Sequence, residues 1–100
     1  MIIRGIRQKS FKNIKLGDIF IVHTKEEYEY YMIVYDDINK VFGYLNLNTY
    51  KVINSFYDEN IRHEDIQSLA AEVNDIGIHS STMLVDRNDC ILDFKTENVF

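Results

Sequence analysis

The sequence predicts an α+β fold, a small curled antiparallel sheet carrying one helix. Three observations point there. Residues 28–35 alternate in the two-residue period of a strand, with Tyr28, Tyr30, Met32 and Val34 on one face and Glu29, Tyr31, Ile33 and Tyr35 on the other. Turn-forming residues break the chain from Leu16 to Phe56 into short apolar runs. Ile66, Leu69, Ala70, Val73 and Ile76 then recur at the spacing of an amphipathic helix.

Each element has its own warrant. Gly17-Asp18 marks a turn, and the β-branched run 19–23 reads as a strand covered on both faces. Residues 28–35 pair with 41–47 across the hairpin loop Asp36-Asp37-Ile38-Asn39-Lys40. Gly43 inside a strand suggests a bulge or sharp bend of the kind that closes a small barrel. A fourth strand is expected over 50–56. The helix is expected over 61–76, with Asn60 as N-cap and Gly77 ending it. Residues 82–86 and 90–94 read as a second hairpin. One hundred residues make a single domain, 1–100, and residues 1–15 stand out as a basic arm.

Composition narrows the function classes. No apolar run approaches the roughly 20 residues that a spanning helix needs, so no membrane association is expected. The N-terminus lacks the apolar core of a secretion signal, and the single cysteine cannot form an internal disulfide. Both features fit a cytoplasmic protein. Richness in Ile, Asn, Lys and Tyr is what A/T-rich codons produce, which suggests a low-GC bacterium or one of its phages.

Charge is divided along the chain. Residues 1–17 hold Arg4, Arg7, Lys9, Lys12 and Lys15 and no acid. The remainder holds six basic and sixteen acidic side chains, a balance of −10. An acidic body repels nucleic-acid phosphates and favours a basic protein surface. The five basic residues are the candidate nucleic-acid contacts of a competing reading, in which the arm is mobile.

No motif for catalysis or metal binding is present. The chain lacks a phosphate-binding glycine loop, a nucleophile elbow and the H-E-x-x-H pattern. His23, His63, His79 and Cys90 fall at no metal-site spacing, and no cofactor or metal is expected. Cys90 activated by His79 remains as an enzymatic alternative. The feature above background is aromatic, with all seven tyrosines in the span from Tyr28 to Tyr57. Tyr31, Tyr35, Phe42 and Tyr44 share faces with Glu29 and Asn46, beside the acids Asp36 and Asp37. Glu29, Tyr31, Tyr35, Asp36, Asp37, Phe42 and Tyr44 are therefore the candidate partner-binding residues, provided that face is exposed.

Gly17-Asp18-Ile19-Phe20, followed by an apolar strand and a hairpin, resembles the opening of SH3-like small barrels. MazF-type toxin endoribonucleases open in a similar way, and that likeness implies a ribonuclease or a degenerate one. Those toxins carry a catalytic arginine in an Arg-Pro pair on the next strand, where this chain reads Tyr30-Tyr31-Met32-Ile33-Val34. The whole chain also looks like the short proteins of phages and prophages in low-GC Gram-positive bacteria. That likeness implies an inhibitor that occupies a basic site on a host protein, including a host defence protein. The expected function is thus non-enzymatic protein binding, with nucleic-acid binding through the basic N-terminus and Cys/His catalysis as alternatives.

Overall fold

A computed structural model describes residues 2–3, 9–23, 27–87 and 90–91. Its strands are β1 (Ile2–Ile3), β2 (Ile19–His23), β3 (Tyr28–Asp36), β4 (Val41–Asn46), β5 (Val52–Ile53), β6 (Thr82–Val85) and β7 (Cys90–Ile91). The helix α1 spans Ile66–His79, and a 3-10 turn spans Phe11–Asn13. Five strands form one antiparallel sheet in the order β5-β4-β3-β2-β6, while β1 pairs with β7 separately. The fold class is therefore α+β, as the sequence implies. The sheet is open, with β5 and β6 at its edges, so the expected barrel closure does not form among the described residues.

The period-2 pattern divides the apolar residues between the two faces. Phe20, Tyr31, Ile33, Tyr44 and Leu84 pack with Leu69 and Val73 of α1. Ile19, Ile21, Leu47 and Val85 form a second buried cluster, flanked by Tyr30, Met32, Leu45 and Met83. Alternation in β3 and the two-sided character of β2 are thus as the sequence reads.

Boundaries differ from expectation for local reasons. The helix begins at Ile66, because His63 is held in a bridge to β4, with Phe42 N donating to His63 O at 2.8 Å. Asp65 is the N-cap and accepts from Ser68 N at 2.8 Å, whereas Asn60 N is bonded to Asp58. Gly77 does not end the helix. A methyl there would lie 2.5 Å from the Phe11 ring, so the glycine permits close packing of the 3-10 turn. Gly43 makes no bulge, since β3–β4 pairing runs unbroken through Val34 and Gly43. A Cβ at Gly43 would meet the Ile53 carbonyl at 2.8 Å, so this glycine lets β5 approach.

The expected strand over 50–56 shrinks to Val52–Ile53. Tyr50 sits at φ 61°, and the Asn46 side chain caps the turn by accepting from Asn48 N and Thr49 N. The expected second hairpin is also corrected: β6 pairs with β2, and β7 pairs with β1. The rest of the expected strand, 92–94, lies outside the described residues.

Candidate functional site

The seven candidate binding residues do not form one surface. Tyr31 is 7% exposed and Tyr44 is fully buried, both beneath α1. The helix that amphipathic spacing demands is what covers this aromatic face, so the exposure on which a contact role for either ring depends is not met. Burial, then the hydrogen bond to Glu29 at 2.6 Å, pushes the Tyr31 hydroxyl up to about 12. Glu29 lies near the start of β3, about 23 Å from Asp36 along the strand.

The other four gather at the β3–β4 hairpin. Tyr35 is 39% exposed and packs against half-buried Phe42, ring centroids 4.8 Å apart. The Asp36 carboxylate organises the turn. It accepts from the Asn39 side chain at 2.7 Å, from Ile38 N at 2.9 Å and from Asn39 N at 3.2 Å. These bonds, the Asn39 side chain first, hold its pKa below the usual carboxylate value. Lys40 takes a left-handed φ of 57° and closes the loop through its amide to Asp36 O at 2.7 Å. At the tip Ile38 is 90% exposed beside exposed Asp37. Ile38 was legible only as a turn residue; its display depends on how the loop is folded.

The basic stretch is anchored from Lys9 onward, which counts against the competing reading of a mobile arm. Lys9 N donates to Leu84 O at 2.7 Å, beside strand β6. The Lys9 ammonium lies 2.5 Å from the buried Asp18 carboxylate, which also accepts from Lys15 N at 2.9 Å. Lys15 pairs with Asp86 at 3.2 Å. Lys12 is exposed, while Arg4 and Arg7 lie outside the described residues.

A second polar cluster, absent from the sequence reading, joins α1 to the sheet. Glu72 is buried and accepts from Tyr44 Oη at 2.5 Å, from the Ser55 hydroxyl and from Phe56 N at 3.3 Å. Burial first, then the Glu72 hydrogen bond, pushes the Tyr44 pKa far up. His63 is also buried, with Nε2 3.2 Å from Glu72 Oε1 and Nδ1 2.8 Å from Ser68 Oγ. The Nε2 approach is close but oblique, short of hydrogen-bond alignment. One signal existed in the sequence: Glu72 falls three residues after Leu69, beside the apolar stripe. Its partners are scattered from position 44 to 63, so spacing alone does not assemble them.

The remaining candidates sit on different elements. His79 lies at the exposed end of α1, 3.9 Å from Asp75, and Cys90 pairs in register with Ile3. The Cys90 side chain lies outside what the structure describes. Among the described residues no group of three or more His, Cys, Asp or Glu is placed to hold a metal, and no helix is long and apolar enough to cross a membrane. Comparison with protein-family models, with curated proteins and with solved structures found no match.

Proposed function

We propose that this chain is a non-enzymatic protein-binding module that presents its β3–β4 hairpin to a basic site on a partner protein. The observation that carries the reading is the tip itself, an apolar Ile38 at 90% exposure on a turn fixed by three bonds to Asp36. A prefixed loop loses little entropy on binding, and an isolated apolar side chain is a natural anchor for a pocket. Asp37 beside it and the acidic body favour a pocket rimmed by Lys and Arg. Tyr35 and Phe42 extend the contact down the hairpin. The likeness to SH3-like barrels enters this reading only as a shared way of mounting a hairpin on a small curled sheet.

In this reading the setting is the cytoplasm of a low-GC bacterium, and the chain is a phage or mobile-element inhibitor of a host protein, with a defence protein as the natural target. Capture from a low-GC Gram-positive lysate tests it. A partner held by the parent protein should be lost to Ile38→Asp and to Tyr35→Ala while both variants melt as the parent does. Capture that survives both changes would overturn the hairpin as the binding element.

A further inference from the structure

Ser68, His63 and Glu72 stand in the order hydroxyl, imidazole, carboxylate. Ser68 Oγ is 2.8 Å from His63 Nδ1, and His63 Nε2 is 3.2 Å from Glu72 Oε1. Ser68 is exposed, whereas His63 and Glu72 are buried. The partners assign the imidazole tautomer. Nε2 makes no aligned hydrogen bond, but the Glu72 carboxylate 3.2 Å away favours a proton on that nitrogen through its charge, which leaves the Nδ1 lone pair to the Ser68 hydroxyl. Glu72 is fixed in turn by Tyr44, Ser55 and Phe56 N, and the His63 backbone is fixed by its bond from Phe42 N. The base is thus held by groups on the sheet, the 55–63 loop and the helix, an investment that an exposed serine does not need for packing.

From this geometry we infer that Ser68 is an activated nucleophile, a covalent modification site that takes an acyl group from an activated ester. Ser68 Oγ attacks the ester carbonyl carbon, and its proton passes to His63 Nδ1. The carbon–oxygen bond to the leaving alkoxide or phenoxide breaks, and that oxygen takes the proton from Nδ1, leaving acyl-Ser68 and neutral His63. Negative charge develops on the carbonyl oxygen near the positive end of α1. The Ser68 amide is already bonded to Asp65, so the donors left in the first turn are the Ile66 and Gln67 amides, which have no acceptor within the helix. The site is open rather than enclosed, which suits a small acyl donor. His63 acts here as a positioned base and Glu72 as a positioning residue. The inference is independent of the hairpin reading, since neither Ile38 nor Tyr35 takes part in the relay.

The test uses the intact protein and p-nitrophenyl acetate, with the acylated serines mapped by mass spectrometry. Ser80 and Ser81, also exposed, are internal references. Ser68 should acylate at least about tenfold faster than either, since a positioned base typically contributes more than that. In His63→Gln the Ser68 rate should fall to that of Ser80. A Ser68 rate equal to that of Ser80, measurable without any variant, would overturn the inference. So would an unchanged Ser68 rate in a folded His63→Gln protein. Ile38→Asp should leave the labelling untouched, so failure here and failure of the binding reading are distinguishable.

Discussion

The Tyr44 hydroxyl donates a 2.5 Å hydrogen bond to the Glu72 carboxylate, and through it strand β4 holds helix α1 at a buried polar point inside an apolar interface. Removing either partner strands the other away from water. Tyr44→Phe should cost about 1.5–3 kcal/mol, the scale of a hydrogen bond to a charged group. Glu72→Ala orphans the Tyr44 and Ser55 hydroxyls and the Phe56 amide together, so about 3–5 kcal/mol is expected. Urea unfolding of the two single variants and the double variant measures the coupling. A coupling free energy near zero would mean that the bond does not link sheet to helix.

Base should unfold the protein cooperatively. A tyrosine in the unfolded chain ionises near pH 10. Burial and carboxylate partners raise Tyr44 well above that and Tyr31 to about 12. Above pH 10 the folded chain therefore keeps protons that the unfolded chain has released, and stability falls as pH rises. The contribution is intact below about pH 10 and is lost from there up through the folded pKa values. The decline should be shallower in Tyr44→Phe, read as the slope of unfolding free energy against pH. A stability flat across that window would contradict the burial of these hydroxyls.

Gly43 is a spacing requirement. A methyl at this position would sit 2.8 Å from the Ile53 carbonyl oxygen, a backbone atom that cannot swing aside. Gly43→Ala should therefore push β5 off the sheet edge and cost about 1–3 kcal/mol. Hydrogen exchange should show the loss at the β4–β5 pairing of Tyr44 with Ile53 before the β2–β3 pairing is affected.

These relationships show how far the sequence could be read. Local periodicity placed β2, β3 and β4 and told which residues of β3 share a face. It found α1 but began it five residues early, because Ile61, Arg62 and His63 carry no signal that His63 pairs with Phe42. The same limit misassigned β6 and β7 to each other, since strand pairing depends on partners far away in the chain. The aromatic face is a binding surface only if nothing covers it, and the sequence leaves that condition open. An amphipathic helix must cover something, but its stripe does not name the strand face it will choose. The sequence therefore cannot tell whether Tyr31 and Tyr44 face outward, and it does not reveal the polar network that holds Tyr44. The Asp36 turn was legible as a turn, and its residues 35, 36, 37 and 42 do lie together. What could not be seen was that folding leaves Ile38 as the most exposed large apolar side chain among the described residues.

The hairpin tip should divide binding into two separable parts. Ile38 and Tyr35 act at short range, by losing water on contact, so they should govern dissociation. Ile38→Ala should cost about 2 kcal/mol or more, roughly thirtyfold in affinity, with most of the change in the off-rate. Asp37 and the acidic body act at long range on a basic partner, and their effect should fade once salt shortens the Debye length below about 8 Å. Asp37→Lys should therefore mainly slow association, and its deficit should shrink as salt rises. Asp36→Ala behaves differently from both. It removes the acceptor that fixes Ile38 N, Asn39 N and the Asn39 side chain, so the loop must pay its ordering entropy on binding. Surface plasmon resonance against the captured partner, run over a salt series, separates the three. Should Asp36→Ala bind as the parent does while Ile38→Ala fails, the anchor would stand and the fixed turn would be irrelevant to it. Should Ile38→Ala bind as tightly as the parent, the hairpin tip would not be the contact.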